Sequence, residues 1–396
     1  MLLNNTARVK KCLLDGQNFH VVFNSYIIDR YSVNNLLGGF SVQVTLLVGN
    51  GFDIQAGLKT SYSEFYDYLR EKSLEDKSLR QNAIFTEINK DENLWSNFEI
   101  ALMELTKRCD LHDESALTVD KLAKDKDEIE DYLGEYLSNV NKEYNVEHYS
   151  KDIIKEFKRS FSVLISILPL QRQGEISEIL NLQSNTSTIW VNIIDFNYTS
   201  LFKDAFELLP NNSPIAEIKE LTNSNRKLQV KKRIGGYVKL HGDTKANMNL
   251  GGHDSQISES VRESEYRFFF DKEALEHENG TNKYKTAKEF INATNLYFVL
   301  GMSLGETDKV WWERIADIVS NNTQRALVIL EYDSNESINN KPYLRQPSIN
   351  RVKDRFLNYA TELSDTQIES VSERIFVQYN SKLFNLGSVG TIVEEK

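Results

Sequence analysis

Two cysteines, five prolines and no long hydrophobic run set the first limits on this chain of 396 residues. Cys12 and Cys109 are too few for a disulfide framework or a zinc site, and neither stands at a metal-ligand spacing from histidine. Both read as reduced thiols of a cytoplasmic protein. The longest apolar stretch, Phe161 to Leu170, has about half of the roughly 20 residues that a bilayer-crossing helix needs. The N-terminus lacks the continuous apolar core of a signal peptide, so neither membrane insertion nor export is expected. Positive charge is also short: 47 Lys and Arg face 58 Asp and Glu, a formal net charge of −11. That balance argues against general binding to a nucleic-acid backbone or an anionic membrane. HExxH, a Walker A lysine loop and a GxSxG elbow are missing, which removes support for zinc-protease, P-loop and hydrolase-elbow chemistry. No metal site is predicted.

What is present is the composition of an ordinary globular protein, 40% hydrophobic, 27% charged and 11% aromatic. The length allows two or three domains, or one α/β domain with a large insertion. Residues 1–41 show no clear amphipathic period, whereas from Val42 the chain reads at once as a buried strand, Val44 to Val48. The first 41 residues are therefore expected to be an N-terminal extension. Gly38-Gly39 can be encoded by a ribosome-binding sequence and Val42 by a GTG start, which raises the alternative that translation begins at Val42.

After the strand come Gly49-Asn50-Gly51-Phe52-Asp53, a polar turn ending in Thr60-Ser61, and apolar positions at helical spacing, Tyr62, Phe65, Tyr66 and Leu69. A strand, a glycine turn and a capped helix open a βαβ unit. Residues 78–183 change character to charged segments with helical periodicity, and are predicted to be an all-helical insertion. Strand-like runs return at Thr188–Phe196, Tyr237–Leu240, Asn295–Leu300, Ala326–Tyr332 and Ile375–Tyr379, with helical patterns between several of them. The pattern predicts a Rossmann-like α/β domain over 42–77 and 184–396, with a mostly parallel sheet covered on both faces.

In such a sheet ligands bind outside the carboxyl ends of the strands, so the residues that end each strand carry the information. Here they are polar: VGNGFD, then DFNYT (Asp195 to Thr199), KLHGD (Lys239 to Asp243) and LGMSLGETD (Leu300 to Asp308). Glycines at 49 and 51 allow close approach of a phosphate, and equally a tight strand-to-helix turn. The GxGxxG fingerprint is broken at Ile54. Asn197 can orient a ribose hydroxyl or a water, or tie down its own turn. His241 at a strand end can act as a base near neutral pH, or be structural. Asp243 and Asp308 read as ligand contacts or as caps, and Trp311-Trp312 as core or as a stacking surface.

Taken in order, these motifs resemble the bacterial abortive-infection AbiH family. LLVGNGFDIQAGLKTSYSEFYDYL looks like its opening signature, WSNFEIAL (Trp95 to Leu102) like its tryptophan-glutamate element, and DFNYT, KLHGD and LGMSLGETDKVWW like its later blocks. The resemblance spans roughly Val44 to Trp312, with a weaker echo at Tyr379 to Gly387. It implies antiphage defence in which an infected cell stops growing, and an unknown phage trigger. A more distant resemblance, to sirtuin-like NAD-consuming defence domains, implies NAD⁺ as substrate or ligand. Carried over residue by residue, it gives Gly49, Gly51 and Asp53 a binding role, Asn197 the ribose and water, and His241 the role of base. Asn50, Thr199, Asp243, Ser303 and Asp308 complete the expected nucleotide-binding set. Such domains commonly have Asp two residues after the Asn, where this chain has Thr199. The expected chemistry is metal-free cleavage of the nicotinamide to ribose bond, restrained in healthy cells through the insertion or a homo-oligomer. A nucleotide-sensing module signalling to a partner and a nuclease are the rival readings, and the acidic charge weighs against the second.

Overall fold

A computed structural model describes residues 40–90, 98–111, 117–181, 186–210, 215–221, 227–242, 244, 248–333 and 341–390. Cys12, Trp95, Asp243 and the expected extension up to residue 39 lie outside them. The described residues from Ser41 onward belong to one compact unit.

Seven strands make one sheet: β1 (Phe40–Val48), β2 (Thr186–Asp195), β3 (Ala216–Leu221), β4 (Lys227–Lys239), β5 (Leu296–Leu300), β6 (Ala326–Glu331) and β7 (Ile375–Tyr379). Their order is β3-β4-β2-β1-β5-β6-β7. Six are parallel, and only β3 at the edge runs antiparallel, to β4. Numbered along the chain, the six parallel strands lie in the order 3-2-1-4-5-6, which is that of a doubly wound dinucleotide fold. The switch in direction falls between β1 and β5, paired in register from Val44 opposite Leu296 to Val48 opposite Leu300. The Rossmann-like expectation therefore holds.

The central strands are apolar on both faces because helices cover both. Val44, Leu46 and Val48 of β1 face one core with Ile189, Val191 and Ile193 of β2 and Phe298 of β5. Phe157 and Phe161 from the Ser150–Val163 helix and Phe202 from the Leu201–Glu207 helix close that face. On the other face Tyr297 donates to the Ile291 carbonyl of the Lys283–Ala293 helix at 2.7 Å, and Thr45 pairs with Thr294.

The Tyr62–Ser73 helix starts at Ser61, whose hydroxyl accepts from the Glu64 N–H while the Glu64 carboxylate accepts from the Ser61 N–H, a capping box. Thr60 has another task, described below. The stretch 78–183 is helical in its described part but packs in two places. Its later helices, Ser150–Val163 and Leu170–Ile179, lie on the sheet. Its earlier ones, with Leu79, Phe85, Phe98, Leu102, Leu122 and Ile129, build a second core with Phe65 and Leu69. Leu250, Ile257, Val261 and Phe270, from the connection between β4 and β5, complete that core. The insertion is thus tied to the segment that leads into β5.

Candidate functional site

The carboxyl ends of β2, β4 and β5 deliver their polar residues to one place, but first they brace one another. Asp195, fully buried at the end of β2, accepts from the Asn197 N–H at 2.9 Å, from the Tyr237 hydroxyl at 2.6 Å and from Lys239 Nζ at 3.2 Å. Lys239 also donates to the carbonyls of Asn197 at 2.5 Å and Thr199 at 2.7 Å. One ammonium from KLHGD thereby holds the whole DFNYT turn. Thr199 in turn donates its hydroxyl to Asp53 at 2.5 Å, joining that turn to the glycine motif after β1. Burial pushes the Asp53 carboxyl up to about 7, against the Thr199 bond that lowers it.

The glycine turn is filled by protein. Gly49 N–H donates to the Leu300 carbonyl, Gly51 N–H to that of Gly301, and Phe52 N–H to that of Gly49. A Cβ on Gly51 would stand 2.6 Å from Gly301 Cα, and one on Gly49 would stand 2.8 Å from the Gly301 oxygen. These glycines let the turns after β1 and β5 lie backbone to backbone across the switch point. The Asn50 amide is spent as a clip: it donates to the Thr60 carbonyl at 2.7 Å and accepts from the Thr60 hydroxyl at 2.5 Å. The helix that follows has only five residues, Gly51–Gln55. Backbone carbonyls thus take the N–H groups of Gly49, Gly51 and Phe52, three of the donors on which a phosphate cradle here would draw. Ser303 is exposed on the turn after β5 and does not join the buried groups.

Asn197, His241 and Asp308 behave differently. Neither amide atom of Asn197 has a partner among the described residues, although the residue is only 2% exposed. His241 is 6% exposed, and its Nε2 likewise lacks a partner. The ring hydrogen-bonds the Phe196 backbone, which leaves Nδ1 as the bonded nitrogen and Nε2 as the free one. Burial, with Lys272, His253 and Lys239 nearby, holds this imidazole well below its usual range, so it is neutral at pH 7. Asp308 Oδ1 stands 3.9 Å from His241 Nε2, beyond hydrogen-bonding distance, and has no partner among the described residues. Asp308 precedes the Lys309–Asn321 helix yet its side chain makes no cap bond, and burial pushes its carboxyl up to about 7. Buried polar atoms are nearly always paired, which makes these three side chains the candidates for contact with a ligand.

Around these three stand residues of the quoted motifs, Glu99, Tyr198, Trp311 and Trp312, together with Asn249, His253 and Lys272, which the sequence alone did not single out. Glu99, in the Phe98–Arg108 helix, accepts from Lys272 at 2.5 Å and from Tyr198 at 2.8 Å. Tyr198 also donates to the Asn249 carbonyl at 3.0 Å, and its ring lies 5.6 Å from that of His241. Trp311 is buried, 6.1 Å from Phe196, with its indole N–H unpartnered among the described residues. Trp312 instead donates to the Gly305 carbonyl. His253 stacks edge-on against Trp311. The available signal was Asn249-Leu-Gly-Gly-His253: a Cβ on Gly252 would strike Met103 Sδ at 2.6 Å, so this segment must lie directly against the helix that carries Glu99.

Among the described residues no helix is long and apolar enough to cross a membrane. No curated protein matches the chain. The family model for bacteriophage abortive infection AbiH matches residues 45–330, which runs from β1 through the Asn197, His241 and Asp308 cluster to the end of β6. The chain belongs to the bacteriophage abortive infection AbiH family.

Proposed function

We propose that this family member defends against phage by hydrolysing NAD⁺ at the nicotinamide to ribose bond, depriving an infected cell of the nucleotide. The observation that carries the reading is the convergence of Asn197 and His241 Nε2, buried and unpartnered among the described residues, with the partly exposed Asp308, whose buried Oδ1 is unpartnered among them too, at the carboxyl edge of a 3-2-1-4-5-6 sheet. The bond between ribose C1′ and the nicotinamide nitrogen breaks with its electron pair going to the ring, which leaves as neutral nicotinamide. A water oxygen bonds to C1′ and releases one proton, giving ADP-ribose. Asn197 offers one donor and one acceptor to position the ribose hydroxyls and that water. Neutral His241 Nε2 accepts a ribose hydroxyl proton, the proton of the attacking water replaces it on that oxygen and the imidazolium releases its own to solvent, while Asp308 in its ionised form supports the positive charge that develops on the ribose.

Thr199 does not leave the turn without a carboxylate, because Asp53 lies against its hydroxyl and retains one buried oxygen that is unpartnered among the described residues. Lys239 favours the second reading, a nucleotide sensor that does not turn over: its ammonium compensates Asp195 at 3.2 Å and weakens support for a ribosyl cation. Nicotinamide release from NAD⁺ by the purified protein, followed by chromatography with and without phage lysate, separates the two. Release that Asn197→Ala abolishes supports the hydrolase. Saturable NAD⁺ binding with no release under either condition replaces it with the sensor.

A further inference from the structure

Beyond Asn197, His241 and Asp308 the described residues contain a second group of buried, unpartnered polar atoms: both amide atoms of Asn249, His253 Nε2, the Tyr284 hydroxyl and the Trp311 indole N–H. Asn249 and His253 are each 5% exposed, Tyr284 is 3% and Trp311 1%. The rings form one aromatic wall. Tyr284 and Trp311 stack at 5.6 Å and 27°, and His253 meets them edge-on at 5.8 Å and 6.5 Å. Trp311 lies 6.1 Å from Phe196, and Phe196 lies 5.4 Å from His241, so the wall runs up to the residues assigned above to the ribose. Asn249 joins through Tyr198, which bonds its carbonyl and flanks His241.

We propose that Asn249, His253, Tyr284 and Trp311 form a recognition pocket for an uncharged heteroaromatic ring that carries both hydrogen-bond donors and acceptors, a nicotinamide or a purine base. Indole N–H, phenol and amide supply donors, while the Asn249 oxygen and a neutral imidazole supply acceptors. The flat aromatic walls supply stacking area. None of the four side chains is itself charged, since burial holds His253 at about 3, and beside them Glu99 and Lys272 compensate each other at 2.5 Å while Asp308 adds only negative charge near Tyr284. An anion such as phosphate would find Lys272 and Lys288 already paired, with Glu99 and Glu273, whereas a ring with amide or amino groups would satisfy the atoms that burial otherwise leaves unpaired. The segment from Asn249 to His253 is held against the helical core, since a Cβ on Gly251 would stand 2.6 Å from the Phe270 oxygen. The insertion therefore shapes this wall.

This inference deepens the nucleotide reading of the same rim, and its test separates the two. The full-length protein is titrated with nicotinamide and, separately, with adenine, followed by thermal melting and saturation-transfer NMR. One ring is expected to raise the melting temperature at millimolar concentration, and Tyr284→Phe and Asn249→Leu to weaken its apparent Kd several-fold. A response to nicotinamide assigns the reacting end of a dinucleotide to the pocket, and a response to adenine assigns the distal base. Tyr284→Phe deletes only an unpartnered buried hydroxyl, so the free variant should melt no lower than the parent, which controls for misfolding. Binding of neither ring, or binding unchanged in both variants, overturns the pocket. Ring binding lost in Tyr284→Phe while the parent releases no nicotinamide keeps the pocket and removes the hydrolase. Release with unchanged KM and ring affinity in that variant does the reverse.

Discussion

Thr199 donates its hydroxyl to the Asp53 carboxylate across 2.5 Å, and this bond joins the turn after β2 to the turn after β1. Both residues are essentially inaccessible to water, at 1% and 0% exposure. A buried carboxyl that loses a donor becomes more costly to ionise and leaves an unsatisfied oxygen behind. Thr199→Val keeps the shape and removes the donor, so it should lower stability by about 1–3 kcal/mol in urea unfolding. Thr199→Ser keeps the hydroxyl and should stay close to the parent. Equal losses in both variants would mean that the methyl group, not the bond, matters here.

Lys239 is the keystone of the second motif. It contacts the Asp195 carboxylate and two backbone carbonyls, with a side chain only 10% exposed. Lys239→Met fills similar volume but leaves Asp195 buried with only Tyr237 and the Asn197 N–H, and orphans two carbonyls. Removing one partner of a buried pair typically costs about 3–5 kcal/mol. The expected outcome is a large drop in the urea midpoint together with loss of NAD⁺ binding, because Asn197 sits on the turn that Lys239 holds. A variant that unfolds like the parent would show that the turn is fixed by other contacts.

Gly301 has φ of +67°, and a Cβ there would approach Phe52 N at 2.7 Å and Gly51 Cα at 2.8 Å. Strain and collision act together, and the atoms struck are backbone. Gly301→Ala should therefore be poorly soluble or melt well below the parent. Gly57, also at positive φ but with open space around its Cβ position, separates the two effects: Gly57→Ala should carry only the smaller backbone penalty, of about 1 kcal/mol. Comparable melting temperatures for the two variants would contradict this reading of the switch point.

The sheet was legible wherever a strand is buried on both faces, because β1, β2, β5 and β6 then read as apolar runs ended by glycine or polar residues. The hairpin of β3 with the first half of β4 was not. Ala216 to Leu221 and Lys227 to Arg233 alternate charge with single apolar residues, which is how an edge strand is protected and also how an exposed loop reads. β1 begins at Phe40, two residues before the expected break at Val42. Asn197 and His241 were legible because each stands two residues past the end of a strand, and Asp308 because it closes the polar run that follows β5. Asn249, His253 and Tyr284 were not, since they lie in the long connection between β4 and β5 and reach the site only by packing against the helical core. Asn50 and Ser303 show the converse: a polar residue at a strand end can be used up by a local clip or point to solvent.

The site also carries opposing titrations. His241 and His253 have folded pKa values far below their unfolded value, so their contribution to stability is present above about pH 6.5 and is lost as pH falls. Asp53 and Asp308 are raised to about 7, so their contribution is present below about pH 4 and is lost as pH rises through 7. Between about pH 5 and 6 the unfolded chain binds two protons at the histidines and the folded chain two at the carboxyls, so the four groups cancel. Asp308→Asn removes one folded-state proton. The difference in unfolding free energy between variant and parent should then shift against the variant by about 1.4 kcal/mol for each pH unit of acidification in that window, and level off above about pH 7.5. Urea unfolding of both proteins at about pH 5 and about pH 6 measures the slope directly, and parallel curves would show that Asp308 is already ionised in the folded protein across that range.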